Sequence, residues 1–227
     1  MIRGAAAFSC AVLLLAVPAP AAAQRAHRDT PRLIVHDDTP CPVDSAEEIV
    51  VCSRAVLTPD AQRVLHNVAR CMVGHWPRDA RDLLTLELQG TTYQRAVRRF
   101  IDAHPGCAPR RRLGFGGLLF AGALAETLMR RFGDLPARIA LRPSHPPLPV
   151  TNEPDLMSVC AVRGDPARAA ALFRSAPGSA EEEAALHTLR PRLADCLRSG
   201  VTARFNRPAL RALLALSAYR LAIHNAG

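Results

Sequence analysis

"RCMVGHWPRDA", Arg70 to Ala80, and "VCAVRGDPARA", Val159 to Ala169, are one piece of sequence written twice. Taken alone, the first stretch looks like the start of a site. It holds Cys71, His75 and the single tryptophan of the chain, Trp76, within six residues. Set against the second, it divides into what recurs and what does not. Cys71 falls on Cys160, Pro77 on Pro166 and Ala80 on Ala169, all 89 positions on, whereas His75 and Trp76 fall on Gly164 and Asp165.

The match extends in both directions. Cys71 and Cys107 are 36 apart, as are Cys160 and Cys196. "WPRDARDLL" lies over "DPARAAALF", and "GTTYQRA" (Gly90 to Ala96) over "GSAEEEA" (Gly178 to Ala184). Phe115 to Arg130 lies over Phe205 to Arg220, with Leu124, Ala125, Thr127 and Arg130 on Leu214, Ala215, Ser217 and Arg220. Offsets of 88 to 90 mean small insertions in loops. The chain is an internal duplication.

Each copy reads as four helices. Thr58 and Pro59 start the first as N-cap and first helical residue, with Val64, Val68 and Cys71 sharing a face. Pro77 starts the second, which carries Ala80, Leu83, Leu84 and Glu87. Thr91 to Gln94 has the spacing of a capping box for the third, whose face is Val97, Phe100, Ile101 and His104 before Pro105 and Gly106 stop it. The fourth, "GGLLFAGALAETLMRRFG", is apolar on nearly every side, as the central helix of a bundle would be. In copy two, Pro154 and Pro166 open two helices. Ser179 and Glu182 form a capping box for the third, with Leu186, Leu189, Leu193 and Cys196 on its face and Pro191 expected to kink or end it. Asn206 caps the fourth, with Leu210, Leu213, Leu214 and Ser217 on one side. "LRPSHPPLPVTNEP" (Leu141 to Pro154) reads as an extended linker. Ahead of both copies, "RLIVH" and "EEIVVC" are short and β-branched, as strands or extended pieces are.

The N-terminus has the form of a secretory leader: Arg3, the apolar run "AVLLLAV", and small residues at Ala21 and Ala23, with cleavage expected before Gln24. The apolar run is shorter than the roughly 20 residues of a transmembrane span; an uncleaved anchor is the alternative. Cleavage leaves roughly 200 residues, one domain or two small ones. The formal charge is +9. Every cation is arginine, so a Walker-type phosphate loop and Schiff-base chemistry, which need lysine, are excluded. Such a basic balance suits nucleic acid, but export points to an acidic partner or envelope component instead.

Six cysteines remain after cleavage, an even number that reads as disulfides in an exported chain. The repeat pairs Cys71 with Cys107 and Cys160 with Cys196, and elimination leaves Cys41 with Cys52. In the chain-entropy account the two larger loops contribute roughly 4 kcal/mol each and the small one about 3. A zinc set drawn from His66, Cys71, His75, His104 and Cys107 is the competing reading. It weakens because both cysteines recur while His75 and His104 become Gly164 and Leu193. No metal or cofactor is therefore expected. No Gly-x-Ser-x-Gly or His-Glu-x-x-His motif is present; Ser158, His187 and Asp195 could be strung into a triad only by ignoring spacing. Arg98, Arg99, Arg110, Arg111 and Arg112 form the densest charge. They are a solvated surface or an anion-binding or partner-binding patch peculiar to copy one.

"EIVVCSR" (Glu48 to Arg54) after Cys41, and the unit C-x(35)-C followed by "RF…ALRALLALSAYRL" (Arg204 to Leu221), resemble a group of uncharacterised exported proteins of sphingomonad-type alphaproteobacteria. That resemblance implies an exported, disulfide-bonded α-helical protein and transfers no functional residue.

The resulting expectation is a mainly α fold with two tandem four-helix units, each with one internal disulfide. The parts are a signal peptide over 1–23, an extended N-terminal segment with a disulfide loop over 24–57, repeats over 58–134 and 154–227, and a Pro-rich linker over 135–153. The leading functional reading is a non-enzymatic periplasmic or secreted repeat protein that binds another protein or an envelope component. Alternatives are a hydrolase-like periplasmic enzyme with a site between the units, and a protein that touches lipid or lipopolysaccharide at the membrane surface without spanning it.

Overall fold

Proline-led starts and side-chain caps set most of the helix boundaries. The computed structural model describes residues 31–36, 49–51, 57–88, 90–108, 117–140, 147–150 and 152–226. The leader, Cys41, Cys52 and Arg110 to Arg112 lie outside the described residues. The first unit is α1 (Pro59–His75), α2 (Pro77–Leu84), α3 (Thr91–Ala103) and α4 (Gly117–Met129). After α5 (Leu135–Ile139), the second is α6 (Glu153–Gly164), α7 (Pro166–Arg174), α8 (Ala180–Asp195) and α9 (Arg207–His224). The fold is mainly α, in two four-helix units, each closed by its own disulfide. Cys71–Cys107 and Cys160–Cys196 are both formed, with Cα atoms 5.5 and 5.8 Å apart.

Thr58 caps α1 by accepting from the Ala61 amide, and Asn206 caps α9 by accepting from the Ala209 amide at 3.1 Å. Each satisfies one of the amides a helix start leaves without a partner. Asn152 and Asp165 do the same for α6 and α7. Trp76, the counterpart of Asp165, gives no side-chain cap to α2.

Two expectations change and two are narrowed. The Thr91–Gln94 capping box does not form: Gly90 is the extended N-cap and its carbonyl accepts from the Gln94 amide. Thr91 is already inside the helix, one position too late to cap. Val64 is exposed, and the buried stripe of α1 is Leu65, Val68, Ala69 and Met72. That stripe has the same helical spacing but puts larger side chains in the core. Pro191 does not end α8, which runs on to Asp195. Leu189 and Leu193, buried on either side of it, and the disulfide at the C-capping Cys196 hold the last turn in place. Ahead of the stretch read as extended, the 135–153 segment opens on a short helix: Asp134 caps α5, Ile139 is fully buried, and the Asn225 amide donates to the carbonyls of Arg138 and Ala140.

Strands β1 (Arg32–His36) and β2 (Ile49–Val51) do not pair with each other. Both pair in parallel with β3 (Thr202–Asn206), giving the order β1-β3-β2. The N-terminal segment is thus stitched to the run that leads into α9.

The core centres on α4 against α9, both buried on nearly all sides. They touch where a Cβ on Gly122 would lie 2.5 Å from the Cα and Cβ of Ala212. Only glycine permits that approach. Gly122 and Ala212 are equivalent positions at the offset of 90. A residue meeting its own repeat mate at a helix crossing is the mark of an approximate two-fold between the units.

Candidate functional site

The two-fold places two equivalent clefts on either side of the α4–α9 crossing. Leu65, His66, Ala123, Glu126 and Pro208 line one; their counterparts Pro154, Asp155, Leu213, Leu216 and Leu118 line the other. The clefts share an origin and differ in content.

The first is closed. Arg211, 2% exposed, lies between α4 and the turn joining α7 to α8. Its Nε and Nη2 donate to Glu126 Oε1 and Oε2 at 2.7 and 2.8 Å. Nη1 donates to Glu182 Oε1 at 3.0 Å and Ser175 Oγ at 3.2 Å, and Nη2 also donates to the Ser175 carbonyl at 3.0 Å. These bonds match the five N–H donors of a guanidinium. Burial works against its charge, but the carboxylates of Glu126 and Glu182 overcome it and raise its pKa. Glu182 has a second duty, accepting from the Gly178 amide at 2.7 Å while its own amide is capped by Ser179. Gly178 has φ +76°, and Pro59 of the other unit sits within 3 Å of where its Cβ would be, so the turn closes on the start of α1. His66 lies at the edge, its Nδ1 3.9 Å from Glu126 Oε2. Burial drives its pKa below the ordinary value, the Glu126 charge opposing and Arg211, Arg130 and Arg70 assisting. About 20 Å³ of space remains, room for roughly one water.

The second cleft is open, with about 650 Å³ of space. By repeat position Ala121 stands for Arg211 and Leu216 for Glu126, and the third residue after the helix cap, Glu182 in α8, is in α3 the buried Tyr93, whose hydroxyl donates to the Gly117 carbonyl. Among the described residues no guanidinium–carboxylate set crosses this gap. The described walls are aliphatic: Val51 of β2, Leu84, Leu86 and Leu88 after α2, Leu118 of α4, and Leu213 and Leu216 of α9. One polar cluster interrupts them. Arg220 Nη1 donates to Asp155 Oδ2 at 3.2 Å, Asn152 Nδ2 donates to the same oxygen at 3.3 Å, and Arg220 Nη2 donates to the Pro149 carbonyl at 2.9 Å. Thr85 and Glu87 add exposed polar groups. A cavity of this size, walled by leucines and by polar groups in nearly equal measure, has room for a small molecule or a side chain.

The residues singled out by sequence lie elsewhere. Cys71 and Cys107 are bonded to each other, so neither is free as a thiolate ligand. No group of three or more His, Cys, Asp or Glu among the described residues is placed to hold a metal ion. Trp76 stacks at a tilt on His104, ring centres 3.6 Å apart, with His75 on one side and Phe100 on the other. His104 Nδ1 donates to the Phe100 carbonyl at 2.6 Å. The cluster packs the α1–α2 corner onto α3; copy two packs its own corner onto α8 with Gly164, Asp165 and Leu193 in place of these rings. Ser158 is fully buried and bonded to Ser217 at 2.6 Å, whereas His187 and Asp195 are exposed on α8, so no triad assembles. Arg98 and Arg99 are exposed on α3.

Neither cleft was read from sequence. The signal was a charge set among apolar residues: Glu126, the one charge in "GLLFAGALAETLM", and Arg211, with only apolar residues, Ser217 and Tyr219 between it and Arg220 in "RPALRALLALSAYRL". Two opposite charges so placed must find each other or stay unpaired in the core. No helix among the described residues is long and apolar enough to cross a membrane. No family model matches the chain, and no curated protein or solved structure matches it.

Proposed function

We propose that the chain is an exported, non-enzymatic binding protein that engages another protein or an envelope component through the open cleft between its units. The observation that carries this is the pair of equivalent clefts: one sealed by Arg211, Glu126 and Glu182, its twin left open and walled with leucine. A partner that covers these leucines removes their apolar surface from water, which favours its binding. Export rests on the secretory form of the N-terminus and on the two disulfides, which persist in oxidising compartments. A periplasmic or secreted location follows. The resemblance to exported helical proteins of alphaproteobacteria agrees. The hydrolase reading has less support, because Asp155 and Arg220 are committed to each other, leaving Glu87 as the one other ionisable group on the described walls.

A photo-crosslinking amino acid placed at position 86 in the cleft, or at position 78 on the exposed side of α2, tests this in intact cells. Adducts from position 86 and none from position 78 are expected. Equal adducts from both positions would overturn the cleft as the binding site.

A further inference from the structure

We infer that the occupant of the open cleft is a single aliphatic chain with an anionic head, the head seated at Arg220. This rests on the cleft being the binding site. The closed cleft holds a guanidinium between Glu126 and Glu182. In the open cleft Leu216 stands at the position of Glu126, and the two carboxylates on the described walls are Asp155, paired with Arg220, and the exposed Glu87. Leu84, Leu86, Leu88, Leu118, Leu213 and Leu216 face the space. An unbranched chain needs only aliphatic contact.

The polar cluster sits together on one wall, which supplies an end for a head group. Arg220 uses two N–H groups, one on Asp155 and one on the Pro149 carbonyl. A guanidinium has five, and its side chain is 33% exposed. The remaining donors fit a carboxylate or a phosphate oxygen. Free fatty acids and single-chain phospholipids share this chemistry.

Titrating the disulfide-intact mature protein with dansyl-labelled undecanoate, which brightens in apolar surroundings, tests the inference. Saturation at one site per chain is expected, with displacement by dodecanoate and dodecyl phosphate. The more effective competitor identifies the head as carboxylate or phosphate. Leu86→Glu, in a loop and checked for an unchanged thermal midpoint, is expected to abolish binding. Arg220→Gln is expected to weaken dodecanoate about tenfold and leave dodecanol unchanged. Asp155→Asn, which frees Arg220, is expected to tighten dodecanoate about threefold, an outcome a merely structural pair would not give. Absence of saturable binding, or equal binding by wild type and Leu86→Glu, overturns the inference. If polypeptide adducts still form at position 86, the ligand class falls and the binding site stands; if neither signal appears, both fall.

Discussion

Removing the Arg211 side chain while Glu126 and Glu182 remain leaves two carboxylates, 3% and 0% exposed, without the cation between them. Breaking a buried pair in this way costs about 3–5 kcal/mol. Arg211→Ala should lower stability by that amount in urea denaturation. The repeat supplies most of a better combination: Arg211→Ala and Glu126→Leu, the residues at Ala121 and Leu216, joined by the neutral isostere Glu182→Gln. The triple variant should recover at least half of the loss, because it removes the charges together. His66 sets a pH dependence at the same place. Its folded pKa is below the ordinary 6.5, chiefly through burial. The unfolded chain therefore takes up a proton first as pH falls, so this contribution is whole above about 6.5 and is lost below it. Denaturation midpoints between about pH 7 and pH 5 should fall less steeply in His66→Gln than in wild type.

At the scale of elements, caps are where sequence and structure agree most closely. Thr58 with Pro59, Ser179 with Glu182, and Asn206 with Pro208 were all legible, because capping is local chemistry. The disulfides were legible for another reason: the duplication turned fifteen pairings into a comparison. Strand β3 was not legible. "TARFN" holds an arginine and an asparagine, and its partners lie more than 150 residues away in sequence. Parallel pairing over that distance leaves no local signature. Nor was the open cleft, whose walls come from both units and are individually ordinary leucines. Asn206 joins the legible and illegible parts, ending β3 and capping α9 while fully buried. Asn206→Ala should cost about 2 kcal/mol, and the exposed cap variant Thr58→Ala about 1, both read from chemical denaturation. Equal costs would mean that burial adds nothing to the Asn206 cap.

For the molecule as a whole, the α4–α9 crossing is the joint on which the two-fold turns. Gly122→Ala adds a methyl where Ala212 already stands, 2.5 Å away. Helix propensity would favour the change by about 1 kcal/mol, and overpacking opposes it by about 1–3. A net loss of about 1 kcal/mol is expected, in a single transition, because the same contact belongs to both units. A stabilised Gly122→Ala protein would show that the helices part at no cost. Duplication thus yields a scaffold in which one cleft carries the ionic lock and the other is released from it.

The order β1-β3-β2 has a consequence in time. A chain delivered N-terminus first, from the ribosome or across a membrane, presents residues 32–36 and 49–51 more than 150 residues ahead of their common neighbour, residues 202–206. The sheet can close only after that neighbour has emerged. Pairing so distant in sequence is slow to form. A chain stalled before residue 202 would keep the edges of both strands bare on the side where β3 belongs.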